Sequence, residues 1–123
     1  MTFSDYYENV VLDSLFSTTR YIGLSTADPT DDSSGLAEPS GNGYARVTSP
    51  ASDWTAAAAG SISNAVEITF PTATGSWGTV THFAIFDAVT GGNILAHGIL
   101  TESQTITANP SKFLVGALVV TLD

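Results

Sequence analysis

Cysteine is absent from this sequence, so neither a disulfide framework nor thiolate chemistry is available to it. Positive charge is almost absent as well. Arg20, Arg46 and Lys112 are the only basic residues, set against 12 acidic ones, for a formal net charge of −9. A protein that tracks phosphates needs clustered Lys and Arg to displace counterions. Three scattered cations cannot do this, so nucleic acid is excluded as a partner. An anionic membrane surface is excluded on the same ground. Long apolar runs are missing too. The longest, residues 114–120, is far too short to span a bilayer. Residues 1–16 have no basic n-region, and Asp5, Glu8 and Asp13 interrupt any apolar stretch, so no signal peptide is legible.

Charged residues of both signs make up 12% of the chain, about half the usual share of roughly 25%. Hydroxyls fill the gap, with 14 serines and 17 threonines. Such a surface desolvates at lower cost than a charged one, which suits repeated protein contacts; Thr-rich strands account for the composition equally well. A mass of 12.7 kDa implies one domain over residues 1–123. Area scaling gives roughly 6,200 Å² folded against roughly 18,000 Å² unfolded, so about two-thirds of the surface can be buried.

Residues 3–16 read as a helix. Phe3, Tyr7, Val10, Val11 and Leu15 fall at three- and four-residue spacings, and Thr2 with Asp5 resembles a capping box. Together with residues 17–19 this forms an N-terminal helical arm, expected to close one end of the domain or to dock on a partner. The rest reads as β, with strands at residues 21–27, 44–48, 62–70, 80–86, 94–100, 104–108 and 113–122. Seven short strands with turn signals between them argue for a sandwich or barrel. The expected fold class is therefore all-β, an antiparallel β-sandwich of jelly-roll type with one short N-terminal α-helix.

Two connections stand out. Residues 28–43, "DPTDDSSGLAEPSGNG", form a 16-residue acidic loop, and structureless loops of that length are uncommon in compact domains. It is expected to be mobile and free to contact a partner, so that deleting residues 30–41 leaves the domain folded. Residues 49–61 hold Trp54 followed by four alanines that Gly60 stops after about one turn. The stretch "GSWGTVTHFAIFDAVTGGNILAHGIL", residues 75–100, poses a different problem. It reads as a hairpin, yet both faces of both strands are apolar, where a small antiparallel sheet usually keeps one face wet. The second face needs a cover: the helix, the Trp54 loop or another copy of the chain.

Little of this is catalytic. Asp28, Asp31 and Asp32 are oxygen ligands of the kind Ca²⁺ takes, but the EF-hand pattern is not met, so a solvated acidic turn is the reading adopted. His82 and His97 lie on the two hairpin strands. If paired positions sum to 179 they face each other; if they sum to 180 they lie on opposite faces. No G-x-S-x-G elbow exists, and Glu67 and Asp87, the acids on or at the end of clear strands, suggest no cleft for a glycosidase pair. The chain is read as a non-enzyme with no metal and no cofactor.

The order "YIGLSTADPT", "EPSGNGYARV", a Trp, "ISNAVEITFP", "ATGSWGTVTHFAIFDAVTGGNIL" and a closing "GIL" resembles a family of small tailed-bacteriophage virion proteins, commonly labelled phage tail fibre proteins. Some similar small β proteins act as cement or decoration proteins on capsids. The resemblance spans residues 20–122, with "GNGYARV" and "WGTVTHFAIFD" its most specific parts. It implies a structural role in the virion, on the outer capsid surface or the tail, for a protein made in the host cytoplasm. The reading adopted is a capsid decoration or cement protein, a homotrimer that binds the major capsid protein or other virion proteins. The alternatives are a tail or head fibre component and a carbohydrate-binding attachment module with Trp54, Trp77 or Tyr44 as a stacking platform. Phe3, Tyr7, Val11, Leu36, Trp54 and Trp77 are the expected interface residues.

Overall fold

The computed structural model describes residues 2–108, 110–113 and 116–122. Helix α1, Asp5–Leu15, is capped by Ser4 rather than Thr2: the Ser4 hydroxyl accepts from the Tyr7 amide. Asp5 and Glu8 sit in its first turn, where the helix dipole favours them. The face that meets the body carries Leu12 and Phe16, both buried. The periodic stripe is split: Val11 and Leu15 are half-buried, whereas Phe3 is 43% exposed, Tyr7 49% and Val10 37%, and neighbouring Tyr6 reaches 76%. Two polar contacts fix this rotation. Asn9 Oδ1 accepts from the Gly60 amide and Asp13 Oδ1 from the Ala57 amide, both on the segment that follows Trp54.

Among the described residues eight strands follow, all paired antiparallel. A four-stranded sheet runs in the order β2 (Val47–Ser49), β1 (Arg20–Ser25), β5 (Gly78–Phe86), β6 (Ile94–Ile106). Two ribbons complete the chain: β3 (Ser61–Ser63) with β8 (Val119–Thr121), and β4 (Ile68–Thr72) with β7 (Pro110–Phe113). One core cluster joins them, with Ile22, Leu24, Phe83 and Ile85 from the sheet, Ile62, Ile68, Phe70, Phe113 and Val120 from the ribbons, and Leu12 and Phe16 from the helix. The fold is thus mostly β and antiparallel with one helix. The described residues do not pair into the two four-stranded sheets of a jelly roll. The accessible surface, 6354 Å², matches the area scaling.

Two strands expected to be continuous are each broken, and one side chain holds both breaks. Residues 62–70 divide into β3 and β4 at Asn64. Residues 113–122, of which Leu114 and Val115 lie outside the described residues, divide into β7 and β8. Asn64 is fully buried. Its amide donates to the carbonyls of Val66 and Phe113, and its Oδ1 accepts from the Leu118 amide. Its backbone bonds Leu118 and Gly116. A buried amide must be satisfied, and here its partners are Phe113 at the end of β7 and residues just before β4 and β8.

The opposite happens on β6, where residues 94–100 and 104–108, expected as separate strands, join through bulges. Phe86 pairs with Ile94, but Ile85 pairs with Ala96, leaving Leu95 as an extra residue. Val80 pairs with Gln104 while His82 pairs with Ile99. The second irregularity lets Val80 and Phe83 both face the core despite their odd spacing.

Candidate functional site

The second face of the hairpin is covered by the long acidic connection itself. Ile22 and Leu24 pair with Ile85 and Phe83 on the core face; Tyr21 and Gly23 pair with Phe86 and Ala84 on the other. Gly23 is the point of closest approach. A Cβ there would meet Glu38 Oε2 and the Phe86 ring, each at 2.9 Å. Over this spot Arg46 stacks on Phe86, its guanidinium carbon 3.4 Å from the ring centroid. Its Nε and Nη2 donate to both Glu38 oxygens at 3.0 and 2.7 Å. Its Nη1 donates to the carbonyls of Ala88 and Gly91 in the β5–β6 turn. The Tyr44 hydroxyl donates to Glu38 Oε2 and accepts from the Leu24 amide, just past where β2 stops pairing with β1. Burial, then the bond to Glu38, raises the Tyr44 hydroxyl far above its usual pKa, so it stays a donor.

Further along, Ser25, fully buried, accepts from the Ala37 amide, and the Thr26 amide bonds the Ala37 carbonyl. Pro29 is also fully buried. The expectation that this loop adds little to the fold is therefore corrected: an apolar sheet face has to be shielded from water, and residues 26–46 shield it. The two most specific stretches of the resemblance meet here, "GNGYARV" supplying Tyr44 and Arg46 and "WGTVTHFAIFD" supplying Phe86.

The acidic turn is organised by its own donors. Asp32 accepts from the Thr30 hydroxyl and the Ser34 amide. Ser34 first, then Thr30, lowers its pKa to about 2. Asp28 Oδ1 accepts from the Thr30 amide. Asp31 instead reaches His97 Nε2 at 3.1 Å, while Asp28 lies 3.8 Å from His97 Nδ1. The two carboxylates address opposite sides of one ring and cannot converge with it on a single ion. Among the described residues no group of three His, Asp or Glu side chains is placed to hold a metal. Neither expected histidine register applies. Ala84 pairs with His97 and His82 with Ile99, because the Leu95 bulge moves the pairing by one. Both rings share a face, two positions apart, and His82 Nδ1 bonds the Thr81 hydroxyl.

Of the expected interface residues, Trp54 and Trp77 are buried in the chain's own core. Trp54 stacks on Phe16 at 3.9 Å and donates to the Ser49 hydroxyl. Trp77 donates to the Asn42 carbonyl and meets Tyr44 edge-on. With Tyr44 engaged as well, the aromatic platform for sugar stacking is not assembled. Val11 and Leu36 are half-buried; Phe3 and Tyr7 are exposed, their rings 5.7 Å apart. Sequence reasoning missed Tyr6 and the exposed Leu95 and Ile99. Beside the helix runs a groove of about 450 Å³, lined by apolar side chains that include Val11, Leu15, Leu95 and Leu122 together with the polar Asp31 and His97.

A family model described as podophage GP4 fiber I protein gp80 matches residues 2–121. The chain belongs to the Gp80 family. Gp80 is a family of fibre-like structural proteins of tailed-phage virions, in keeping with the resemblance. No curated protein matches the chain. Among the described residues, no helix is long and apolar enough to cross a membrane.

Proposed function

We propose that this Gp80 protein is a structural subunit of a podophage fibre rather than a cement protein of the capsid shell. The observation that carries the reading is the family match over residues 2–121, whose description names a fibre. The geometry is compatible with it: polar side chains near the sheet are spent on internal bonds, and large apolar side chains left outside, among them Phe3, Tyr6, Tyr7 and Ile99, suit contacts with protein. In this reading the subunit is non-catalytic, acts as a homotrimer and joins other virion proteins through the fibre. An electron-microscopy reconstruction of the particle, with the chain tagged at residue 90 in the exposed β5–β6 turn, tests it. Label along a fibre is the expected result. Label distributed over the capsid lattice would return the assignment to a cement protein.

A further inference from the structure

Gly41, Asn42 and Gly43 open the stretch that supplies Tyr44 and Arg46, and they fold into a tight turn. The Tyr44 amide donates to the Gly41 carbonyl at 3.1 Å. Asn42 and Gly43 both have positive φ, 54° and 81°, as the two central residues of a type I′ turn require. Among the asparagines of the sequence, Asn42 alone precedes glycine; the others precede Val10, Ala65, Ile94 and Pro110. That pairing carries chemistry of its own. With no Cβ on the following residue to crowd it, the Gly43 nitrogen can attack Asn42 Cγ. A new N–C bond forms, the nitrogen gives up its proton, and the carboxamide nitrogen leaves as ammonia. Water then opens the cyclic imide at either carbonyl, giving aspartate or isoaspartate. Water is the only co-reactant.

We propose that Asn42–Gly43 is a modification site which the fold keeps shut and which unfolding opens to deamidation. The proposal is independent of the fibre reading. Backbone geometry closes the site first. In a type I′ turn the first central residue has a ψ of about +30°, which points the Gly43 nitrogen away from the Asn42 Cβ. Ring closure has to swing that peptide round, and its carbonyl with it. The carbonyl is held by two donors, the Thr74 amide at 2.9 Å and Trp77 Nε1 at 2.8 Å. Trp77 is buried, so swinging the carbonyl away leaves its indole N–H unpaired, at a cost. The carboxamide is held as well. Its Nδ2 donates to the Ser76 carbonyl at 2.9 Å, and the group lies so close to Gly75 that a Cβ there would meet Cγ at 2.7 Å. Asn42 is itself exposed, so water reaches it; geometry, not burial, withholds the reaction.

The same contacts give the modification its consequence. Asn42 ties the end of the cover, residues 26–46, to residues 74–77. Isoaspartate inserts a further carbon into the backbone at this turn, which displaces the carbonyl from Thr74 and Trp77. Either product loses the donor to Ser76 and adds a negative charge to a chain already at −9. Deamidation thus turns a reversible unfolding into lasting damage to the anchor of the cover.

Peptide mapping by mass spectrometry on the full-length chain, incubated at mildly alkaline pH, tests the proposal. One sample is native and the other is held unfolded in guanidinium chloride at the same pH and temperature. Conversion of residue 42 is expected to be at least about tenfold slower in the native sample, the factor that an opening cost of about 1.4 kcal/mol imposes. Equal rates in the two samples would overturn the proposal. Trp77→Phe removes one donor to the carbonyl and keeps a ring in the core. If thermal melts show this variant folded, its native chain should convert faster than the parent; a folded variant that converts no faster would overturn the carbonyl clamp. If it does not fold, the ratio of native to unfolded rates decides alone. The isoaspartyl chain, separated and refolded, is expected to melt below the parent. A melt at the parent's temperature would overturn the claim that this turn anchors the cover.

Discussion

At Arg46 a single side chain joins three parts of the molecule: the acidic loop through Glu38, the sheet through Phe86 and the hairpin turn through two carbonyls. Its side chain is 6% exposed and that of Glu38 20%, so removing one partner strands a largely desolvated charge. Arg46→Ala is expected to lower the unfolding free energy by about 3–5 kcal/mol, read from urea titration. Arg46→Lys should recover little of it, because an ammonium neither stacks on Phe86 nor grips both Glu38 oxygens. A second residue-scale prediction concerns acid. Hydrogen bonds from Ser34 and Thr30 hold Asp32 at about 2, against 3.8 ordinarily, and Asn93 lowers Asp87. Both carboxyls bind protons less readily folded than unfolded, so their contribution is intact above the ordinary value and is lost as pH falls through the folded one. Melting temperature should therefore drop between about pH 4 and 2 for Asp32, and Asp32→Ala should flatten that limb in a pH series of thermal melts.

The helix and the long loop are both placed by partners distant in sequence. Periodicity finds α1, but it cannot choose between two apolar faces, and Leu12 with Phe16 prevails because Asn9 and Asp13 are anchored to the amides of Gly60 and Ala57. Leu12→Ala should cost about 2–5 kcal/mol, whereas Tyr6→Ser, on the exposed face, should stay within about 0.5 kcal/mol in the same denaturation assay. The loop reads as a solvated acidic connection, yet it covers Gly23, Ala84 and Phe86. Deleting residues 30–41 removes Glu38 and bares an apolar sheet face, so the variant is expected to unfold or aggregate, seen as a lost cooperative melt. A deletion variant that melts like the parent would show that residues 26–29 and 42–46 suffice as a cover.

For the molecule as a whole, a net charge of −9 sets how copies meet. Self-repulsion is screened as ionic strength rises, the Debye length falling from about 30 Å at 0.01 M to about 8 Å at 0.15 M. Self-association driven by apolar contacts should therefore strengthen with salt over that range, measured by light scattering. A charge-paired interface would weaken instead. A chelator should leave the melting temperature unchanged, because a metal bound only by the native state would stabilise it by mass action, and the acidic turn spends its oxygens on Thr30, Ser34 and His97.

Composition and local pattern alone determined that this is a small, mostly β domain opened by a helix, poor in cations and without the residues most catalytic sites need; the likeness to phage virion proteins came from the resemblance of its motifs. Those properties are sums over the chain or depend on neighbours a few residues apart. Contacts distant in sequence decided the rest: Asn64 broke two strands by bonding Val66, Phe113 and Leu118 at once; a bulge at Leu95 reset the histidine register; Arg46 drew an acidic loop over an apolar sheet. Each depends on a partner tens of residues away, and no local period records which of two apolar faces such a partner will cover.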